Sequence, residues 1–534
     1  MLEELKILLS GEPPAGPQEV AAKRQGDQHL NLGQFDEAVA CYQQAVSLNP
    51  RFAAAYVGLG FSLVEQQKFA EAAVALERAL AIDTSLADAH YLLGKAAKAL
   101  DDHPESVRHF TQALALKPDF EFAYRDLFDL LLGAGKTEDA KAVVRRAILA
   151  LPNSAEFRFL LGNLLFNQQD FAGAISCHGK AVALEPTAVV SHKMMGDAYG
   201  YLGQHTKAAE CYEKAIAIAP ANADIHAALG NVMSASGQGE KAMAFYRRAI
   251  ELAPGHVTAH RLLGNAFLKR GDKEGAIACY RRVVELQPDS PVTHMVAALS
   301  GEQRDSTPSG YVAQLFDEYA QTFDSHLVQT LHYDAPEKLM DLVREVSTPA
   351  ARQWSVLDLG CGTGLSGLAI SPYAKELVGV DLSANMLVKA GARRIYTRLE
   401  RMDLLAMMKE EAASSYDVVI STDVFIYVGR LDGLFGEAQR LLRAGGLFAF
   451  SVESLDAVNE EVKEGPDMLD ARDFRLNTTG RYTHSRAYLT RIALHNGFEM
   501  LRTKEVVVRV EGTKTAPGYL MLWRRCDGGV PQPA

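Results

Sequence analysis

A period of 34 residues governs the first half of the chain. Glycine recurs at Gly26, Gly60, Gly94, Gly162, Gly196, Gly230 and Gly264, with Phe128 filling the one gap. Twelve residues after each marker stands alanine (Ala38, Ala72, Ala140, Ala174, Ala208, Ala242 and Ala276), with Ser106 the exception. Seven further on stands alanine again (Ala45, Ala79, Ala113, Ala147, Ala181, Ala215 and Ala249), with Val283 the exception. Each unit closes on proline (Pro50, Pro118, Pro152, Pro186, Pro220, Pro254 or Pro288), with Thr84 once. Small residues on both helices of a pair let them approach closely. Proline ends the second helix because it lacks the amide proton and clashes with a preceding carbonyl. Glycines at 33, 135, 203, 237 and 271 make the turn between helices. One such unit cannot bury its apolar face alone, so the units must stack.

These markers resemble those of the tetratricopeptide repeat over eight consecutive units. "PVTHMVAALS" (Pro291–Ser300) reads as the first helix of a ninth, a cap. Residues 19–300 are therefore expected to form an α-helical superhelix, after an N-terminal segment at 1–18. The residue after each marker glycine should face a concave groove, and "LGN" places Asn163, Asn231 and Asn265 there. This is similar to the asparagine ladder in the arrays of O-GlcNAc transferases, which implies a protein or peptide partner. An amide both donates and accepts, so it suits peptide groups. The plainer reading is a solvated polar groove.

With 534 residues the chain exceeds a single core, so a second domain must follow. Lys and Arg total 55 against 66 Asp and Glu, a net charge of −11, which argues against nucleic acid. No apolar run approaches the roughly 18 residues that cross a bilayer, so no membrane partner is expected. "MLEELKILLSGEPPAGPQ" lacks the features of a signal peptide, and a cytoplasmic location is the expectation. The six cysteines form no C-x-x-C pair, and no metal is expected.

"SGEQRDSTPSG" (Ser300–Gly310) is polar and rich in Gly, Ser and Pro, and residues 301–310 read as a linker. Alternating strands and helices follow over 311–526, with a tail at 527–534. "WSVLDLGCGTG" (Trp354–Gly364) is a buried strand ending in Gly360, Gly362 and Gly364, with Asp358 two residues before the first. Glycine is needed where backbone passes close to a ligand. The spacing G-x-G-x-G differs from the dinucleotide fingerprint and disfavours a nicotinamide enzyme. It resembles the class I S-adenosylmethionine (SAM)-dependent methyltransferases, and with the later string "GRYTHS" the chain also resembles a group of bacterial predicted methyltransferases that carry tetratricopeptide repeats. The resemblance implies a Rossmann-like seven-stranded domain with SAM as cofactor. It implies Asp381, beside Leu382, on the ribose, Met386 against adenine, and Asp403 on the adenine amino group. It also implies cofactor contacts from Asp358, Gly360, Gly362 and Gly364, from Thr422 and Asp423 at the end of the fourth strand, and from Tyr319, which with Phe323 belongs to a lid helix. Each acid could otherwise be a helix cap.

The acceptor segments must project over the carboxyl ends of the strands. Asp423 with Tyr427 is one candidate, and His326 of the lid segment is a second, for substrate binding. The third is "GRYTHSRAY" (Gly480–Tyr488), which offers Arg481 for the acceptor and Tyr482 and His484 for catalysis. Histidine is the side chain most readily used as a base near neutral pH. His484 otherwise makes a contact at the start of the following helix. Three functions remain open. The first is a methyltransferase whose array recruits a protein substrate or partner. The second is a small-molecule methyltransferase that uses the array for assembly, and the third a non-catalytic SAM-binding scaffold.

Overall fold

The structure, a computed structural model, describes residues 17–320, 323–325, 334–347, 351–457, 473–511 and 514–526. The chain forms two compact units, Met1–Ala253 and Pro254–Ala534.

The first unit holds helix pairs from Pro17–Asn31 with Phe35–Leu48 to Ala223–Ala235 with Gly239–Leu252. The marker glycines are small because the residue sixteen positions later occupies their side-chain space. A Cβ on Gly26 would lie 2.8 Å from the Tyr42 ring; one on Gly94, 2.6 Å from Phe110; one on Gly230, 2.6 Å from Tyr246. In the unit carrying Phe128 that later position is Val144, so the bulk has changed sides, and both residues are buried. The paired alanines are fully enclosed, Ala38, Ala72 and Ala242 among them. The turn glycines are left-handed, with φ of +71° at Gly33 and +79° at Gly237. Where glycine is missing, Gln67, Asp101 and Gln169 hold the same conformation at φ +60°, +60° and +63°.

The second unit opens with the eighth pair, Val257–Arg270 and Lys273–Leu286, capped by Thr293–Ser300. Compactness thus divides the chain between Ala253 and Pro254, ahead of the expected border at residue 300. Residues 301–310 do not run free. Gly429 and Arg430 donate their N–H groups to Asp305 O at 2.9 and 2.8 Å, and Thr307 N–H donates to Tyr427 O at 3.0 Å. The polar composition that suggested a linker equally suits an extended segment pairing through its backbone.

The sheet runs in the order β3(Arg398–Arg401), β2(Ala374–Asp381), β1(Trp354–Leu359), β4(Tyr416–Ser421), β5(Leu442–Ser454), all parallel. Two further strands are β6(Phe474–Leu476) and β7(Tyr482–His484), and the closing hairpin is β8(Phe498–Glu511) with β9(Lys514–Arg525). β9 lies antiparallel on β5. β7 pairs only with the end of β5, Glu453 to Thr483 and Ser454 to His484, and β6 lies on β7. The expected seven strands are therefore joined by a short extra hairpin, whose three-residue strands are too brief to show a period of two.

Side chains alternate across the sheet. Leu357, Leu359 and Val419 face a core with Phe435, Phe448 and Leu489, while Val356, Val418 and Ile420 face one with Leu339, Met340 and Val343. Both faces are covered, which is why the central strands are apolar throughout. The open carboxyl ends of β1, β2 and β4 are left for a ligand.

Candidate active site

A cavity of about 440 Å³ opens at those strand ends. Gly360 and Gly362 line it with left-handed backbone, φ +67° and +54°. A Cβ on Gly360 would strike the Val424 side chain at 2.4 Å, while a Cβ on Gly362 would meet only Phe323, at 4.0 Å. Bare backbone is thus presented to the cavity. Asp381, at the end of β2, faces the same space. Its Oδ2 accepts the Gly362 N–H at 2.9 Å and its Oδ1 the Ser383 N–H at 2.8 Å. Burial raises its pKa, and those N–H bonds oppose the rise.

Asp358 sits beneath the glycine loop rather than on the cavity. It is fully buried, and the Tyr396 hydroxyl donates to its Oδ2 at 2.7 Å. Its Oδ1 has no well-formed hydrogen bond among the described residues, and burial pushes its pKa up to about 7. Gly364 also misses the cavity: a Cβ there would sit 3.1 Å from both Arg393 and Tyr396. The Tyr396 ring fills the space left by Gly367 and Gly379 as well. Tyr396 went unnoticed in the sequence, where its only signal is one aromatic in a basic turn before β3.

The wall beyond Asp381 is Leu382, Leu404, Leu405 and Leu434, with Asp403 at its edge. Asp403 is also a helix cap, its Oδ1 accepting from Leu405 N–H at 3.0 Å and Ala406 N–H at 3.2 Å. Met386 is fully buried and does not line the cavity, because its helix turns it into the core. Over the top lie the helix Ser309–Tyr319 and the turn Phe323–Ser325. Phe316 and Phe323 reach the cavity, whereas Tyr319 packs edge-on against Phe323 at 5.2 Å and stays behind it. Asp317 accepts from the Ser383 hydroxyl at 2.5 Å, and Asp324 accepts from Thr363 and, at 2.7 Å, from Arg393. The cover is thereby pinned to both ligand-facing loops. His326 lies outside the described residues.

At the other end stand Thr422, Asp423 and Tyr427. Thr422 shares a hydroxyl bond with Ser366. Asp423 adopts φ +59°. Its carboxylate meets the buried Arg509 at 3.1 Å, and Arg509 also holds Glu453. Arg509 is a second residue the sequence did not single out, hidden within the last hairpin. Burial raises the Tyr427 hydroxyl to about 12, with Arg481 beside it working in the opposite direction.

"GRYTHSRAY" builds structure rather than lining the cavity. His484 has no exposed surface, and its Nε2–H donates to Val428 O at 2.9 Å and Gly429 O at 3.0 Å. Burial lowers its pKa to about 4. Tyr482 is equally buried, packed against Ala297, Ala298 and Leu476. An imidazole enclosed in this way cannot reach an acceptor as a base, which corrects the expectation for both residues. Arg481 is not on the cavity wall and lies beside the Tyr427 hydroxyl.

The groove asparagines are partly spent. The Tyr246 hydroxyl donates to Asn231 Oδ1 at 3.0 Å and the Tyr280 hydroxyl to Asn265 Oδ1 at 2.6 Å. In the first unit Asp27 takes the Tyr42 hydroxyl in the same way, at 2.8 Å. Asn163, opposite His178 rather than tyrosine, has a buried Oδ1 without a hydrogen-bond partner among the described residues. No group of three metal-ligating side chains and no helix long and apolar enough to cross a membrane occurs among the described residues.

Family models match this arrangement. A methyltransferase domain model covers residues 331–503, and tetratricopeptide repeat models cover 26–67, 62–101 and 196–237, and 87–120, 125–183 and 235–299. The chain belongs to the methyltransferases, and carries tetratricopeptide repeats ahead of that domain. It is 30% identical to the malonyl-[acyl-carrier protein] O-methyltransferase of Methylococcus capsulatus, over 41% of this chain and 74% of that one. It is 32% identical to "Probable S-adenosylmethionine-dependent methyltransferase CRG1" of Saccharomyces cerevisiae, over 23% of this chain and 44% of that one. The chain spans about half the length of the first curated relatives it matches, 44% and 52% of two of them. Among solved structures it is similar to YrrB, "a TPR protein with an unusual peptide-binding site", with 20% identity over 41% of this chain and 95% of that one and a TM-score of 0.28.

Proposed function

We propose that this chain transfers a methyl group from SAM to an acceptor carried on a protein that the repeats hold. Asp381 carries the cofactor half of this reading. Its two oxygens accept from the Gly362 and Ser383 N–H groups, and the carboxylate lines the cavity, where its remaining acceptor capacity suits the two neighbouring hydroxyls of a ribose. The bare backbone at Gly360 and Gly362 gives a ligand close approach, and Leu382, Leu404, Leu405 and Leu434 offer an apolar face to a base, with Asp403 beside it. Bound SAM supplies a methyl on a positively charged sulfur, already activated for displacement. The chain's residues then need to align the acceptor and exclude water. Phe316, Phe323 and Tyr427 supply that cover.

Neither titratable group at the Asp423–Tyr427 end is fitted to take a proton. Asp423 is paired with Arg509, and the Tyr427 hydroxyl stays protonated at neutral pH. The acceptor therefore brings its own lone pair, as a carboxylate, a thiolate or an amine. The name of the malonyl-[acyl-carrier protein] relatives supports a small acceptor delivered on a protein.

One observation favours a second reading, a free small-molecule acceptor with the array used for assembly. The carbonyls of Asn231 and Asn265 are each already engaged by a tyrosine hydroxyl, which spends part of their capacity to hold a peptide. Labelled SAM incubated with cell extract separates the two. The full-length chain is compared with a variant carrying Asn163→Ala, Asn231→Ala and Asn265→Ala. Label in protein bands that fades in the variant supports recruitment. Label in small molecules, equal in both, supports the second reading. SAM binding without any transfer would overturn both and leave a scaffold.

A further inference from the structure

We propose that His294, in the helix that caps the repeats, is a positioning residue of the pocket, and that the polar segment behind it is one of the pocket's walls. The helix Thr293–Ser300 sets Ala297 and Ala298 against Leu476 and Tyr482. Within it His294 has no exposed surface. Its Nε2–H donates to Gly480 O at 2.9 Å and lies 3.3 Å from Thr307 Oγ1. Its ring packs on Tyr311 and Tyr482, with centroids 5.2 and 6.2 Å away. Gly480 is left-handed, φ +79°, and a Cβ there would reach the Met295 sulfur at 2.8 Å. One imidazole thus joins the capping helix, the hairpin loop that bears Arg481, and the segment around Thr307.

That segment is what closes the pocket. Asp305, Ser306, Thr307 and Ser309 line the cavity. Thr307 N–H donates to Tyr427 O at 3.0 Å, and Asp305 O accepts from Gly429 and Arg430 at 2.9 and 2.8 Å. Ser306 bridges Val428 as a short antiparallel pair, and Gln303 Oε1 accepts from Leu476 N–H at 2.9 Å. An apolar residue at 294 would fill the core as well, but it would leave the buried Gly480 carbonyl without its donor. The histidine is explained by the two oxygens it ties together. The pocket is consequently incomplete without the cap of the repeat array, and Tyr427 is held from behind by residues that belong to that cap's continuation.

The binding arm of the test rests on the SAM reading above; the exchange arm does not. In the full-length chain, His294→Leu removes the donor, His294→Gln keeps one at similar reach, and Thr307→Val removes the second oxygen without emptying the core. Hydrogen exchange is read at the amides of Thr307, Gly429 and Arg430, and the affinity for S-adenosylhomocysteine by calorimetry. His294→Leu is expected to speed exchange at those three amides and to weaken S-adenosylhomocysteine about ten-fold, the scale of one lost hydrogen bond. His294→Gln should recover most of both. Thr307→Val should speed exchange at Gly429 and Arg430, and adding it to His294→Leu should cost less than the two losses multiplied. Unchanged exchange at the three amides in both His294→Leu and Thr307→Val overturns the proposal. So does a rise shared equally by β1 and β4, which marks general destabilisation. A wild-type chain that ignores S-adenosylhomocysteine sinks the SAM reading, while the exchange pattern still decides the role of His294.

Discussion

The Tyr396 hydroxyl donates to the Asp358 carboxylate at 2.7 Å, entirely beneath the glycine loop it supports. Burial, the largest influence, raises Asp358 from 3.8 to about 7, and Tyr396 pulls it back down. The folded state therefore holds a proton that the unfolded chain releases. The stability gained from that proton is complete below about pH 4 and is lost as pH rises through 7. Asp358→Asn, which still accepts from Tyr396, should flatten this decline. Thermal melts of both chains from pH 4 to 8 measure it; parallel curves would contradict the assignment.

Tyr396→Phe removes the hydrogen bond that its hydroxyl donates to Asp358 and keeps the ring that fills the space beside Gly364, Gly367 and Gly379. Loss of a partner for a buried acceptor costs about 1–3 kcal/mol. Denaturant unfolding should show a loss of that size, and a neutral result would mean the bond is dispensable.

Asp381→Asn keeps the size of the side chain while removing its charge and half of its acceptor capacity. Hydrogen bonds to a charged group are worth about 1.5–3 kcal/mol, so affinity for S-adenosylhomocysteine should fall by roughly ten- to a hundred-fold. Calorimetry checks this. An unchanged affinity would remove Asp381 from the ribose role.

His484 is neutral when folded, its pKa lowered from 6.5 to about 4. Its contribution to stability is present above pH 6.5 and is lost as pH falls from there through 4. His484→Gln should lower the melting temperature at pH 7.5 while removing no ionisation near neutrality from the pH–rate profile. Disappearance of an ionisation near neutrality in that variant would restore His484 as a base.

Gln67 and Gln169 sit at the left-handed turn position that glycine fills in other units. That conformation costs a residue with a side chain about 1–2 kcal/mol, more than glycine's entropic penalty of about 0.5–1 kcal/mol. Gln67→Gly and Gln169→Gly should each raise the melting temperature, and a fall in either would show that the glutamine makes a compensating contact.

What was legible depended on length and repetition. Eight copies make a 34-residue period unmistakable, and five strand–helix junctions in order place Asp381 and Asp403 on the cavity without any coordinates. The misreadings come from single features. Asp358, Gly364 and Met386 belong to the same motifs, yet point under or behind the loop, a direction that spacing alone does not encode. His484 and Tyr482 are the type of residues that active sites use, but they form a three-residue strand whose burial depends on β5 and on the capping helix. Residues 301–310 have a linker's composition, and their pairing with Tyr427–Arg430 is a long-range contact between backbones, invisible to side-chain pattern. Arg509 is hidden for the same reason, its partners Asp423 and Glu453 lying 86 and 56 residues away.

The central claim is that the cavity at Asp381 takes SAM. Calorimetric titration of the full-length chain with SAM, and separately with NADH, tests it most directly. One saturable site for SAM, weakened in Asp381→Asn, and no heat with NADH is the predicted result. Binding of NADH instead, or silence with SAM, would contradict it.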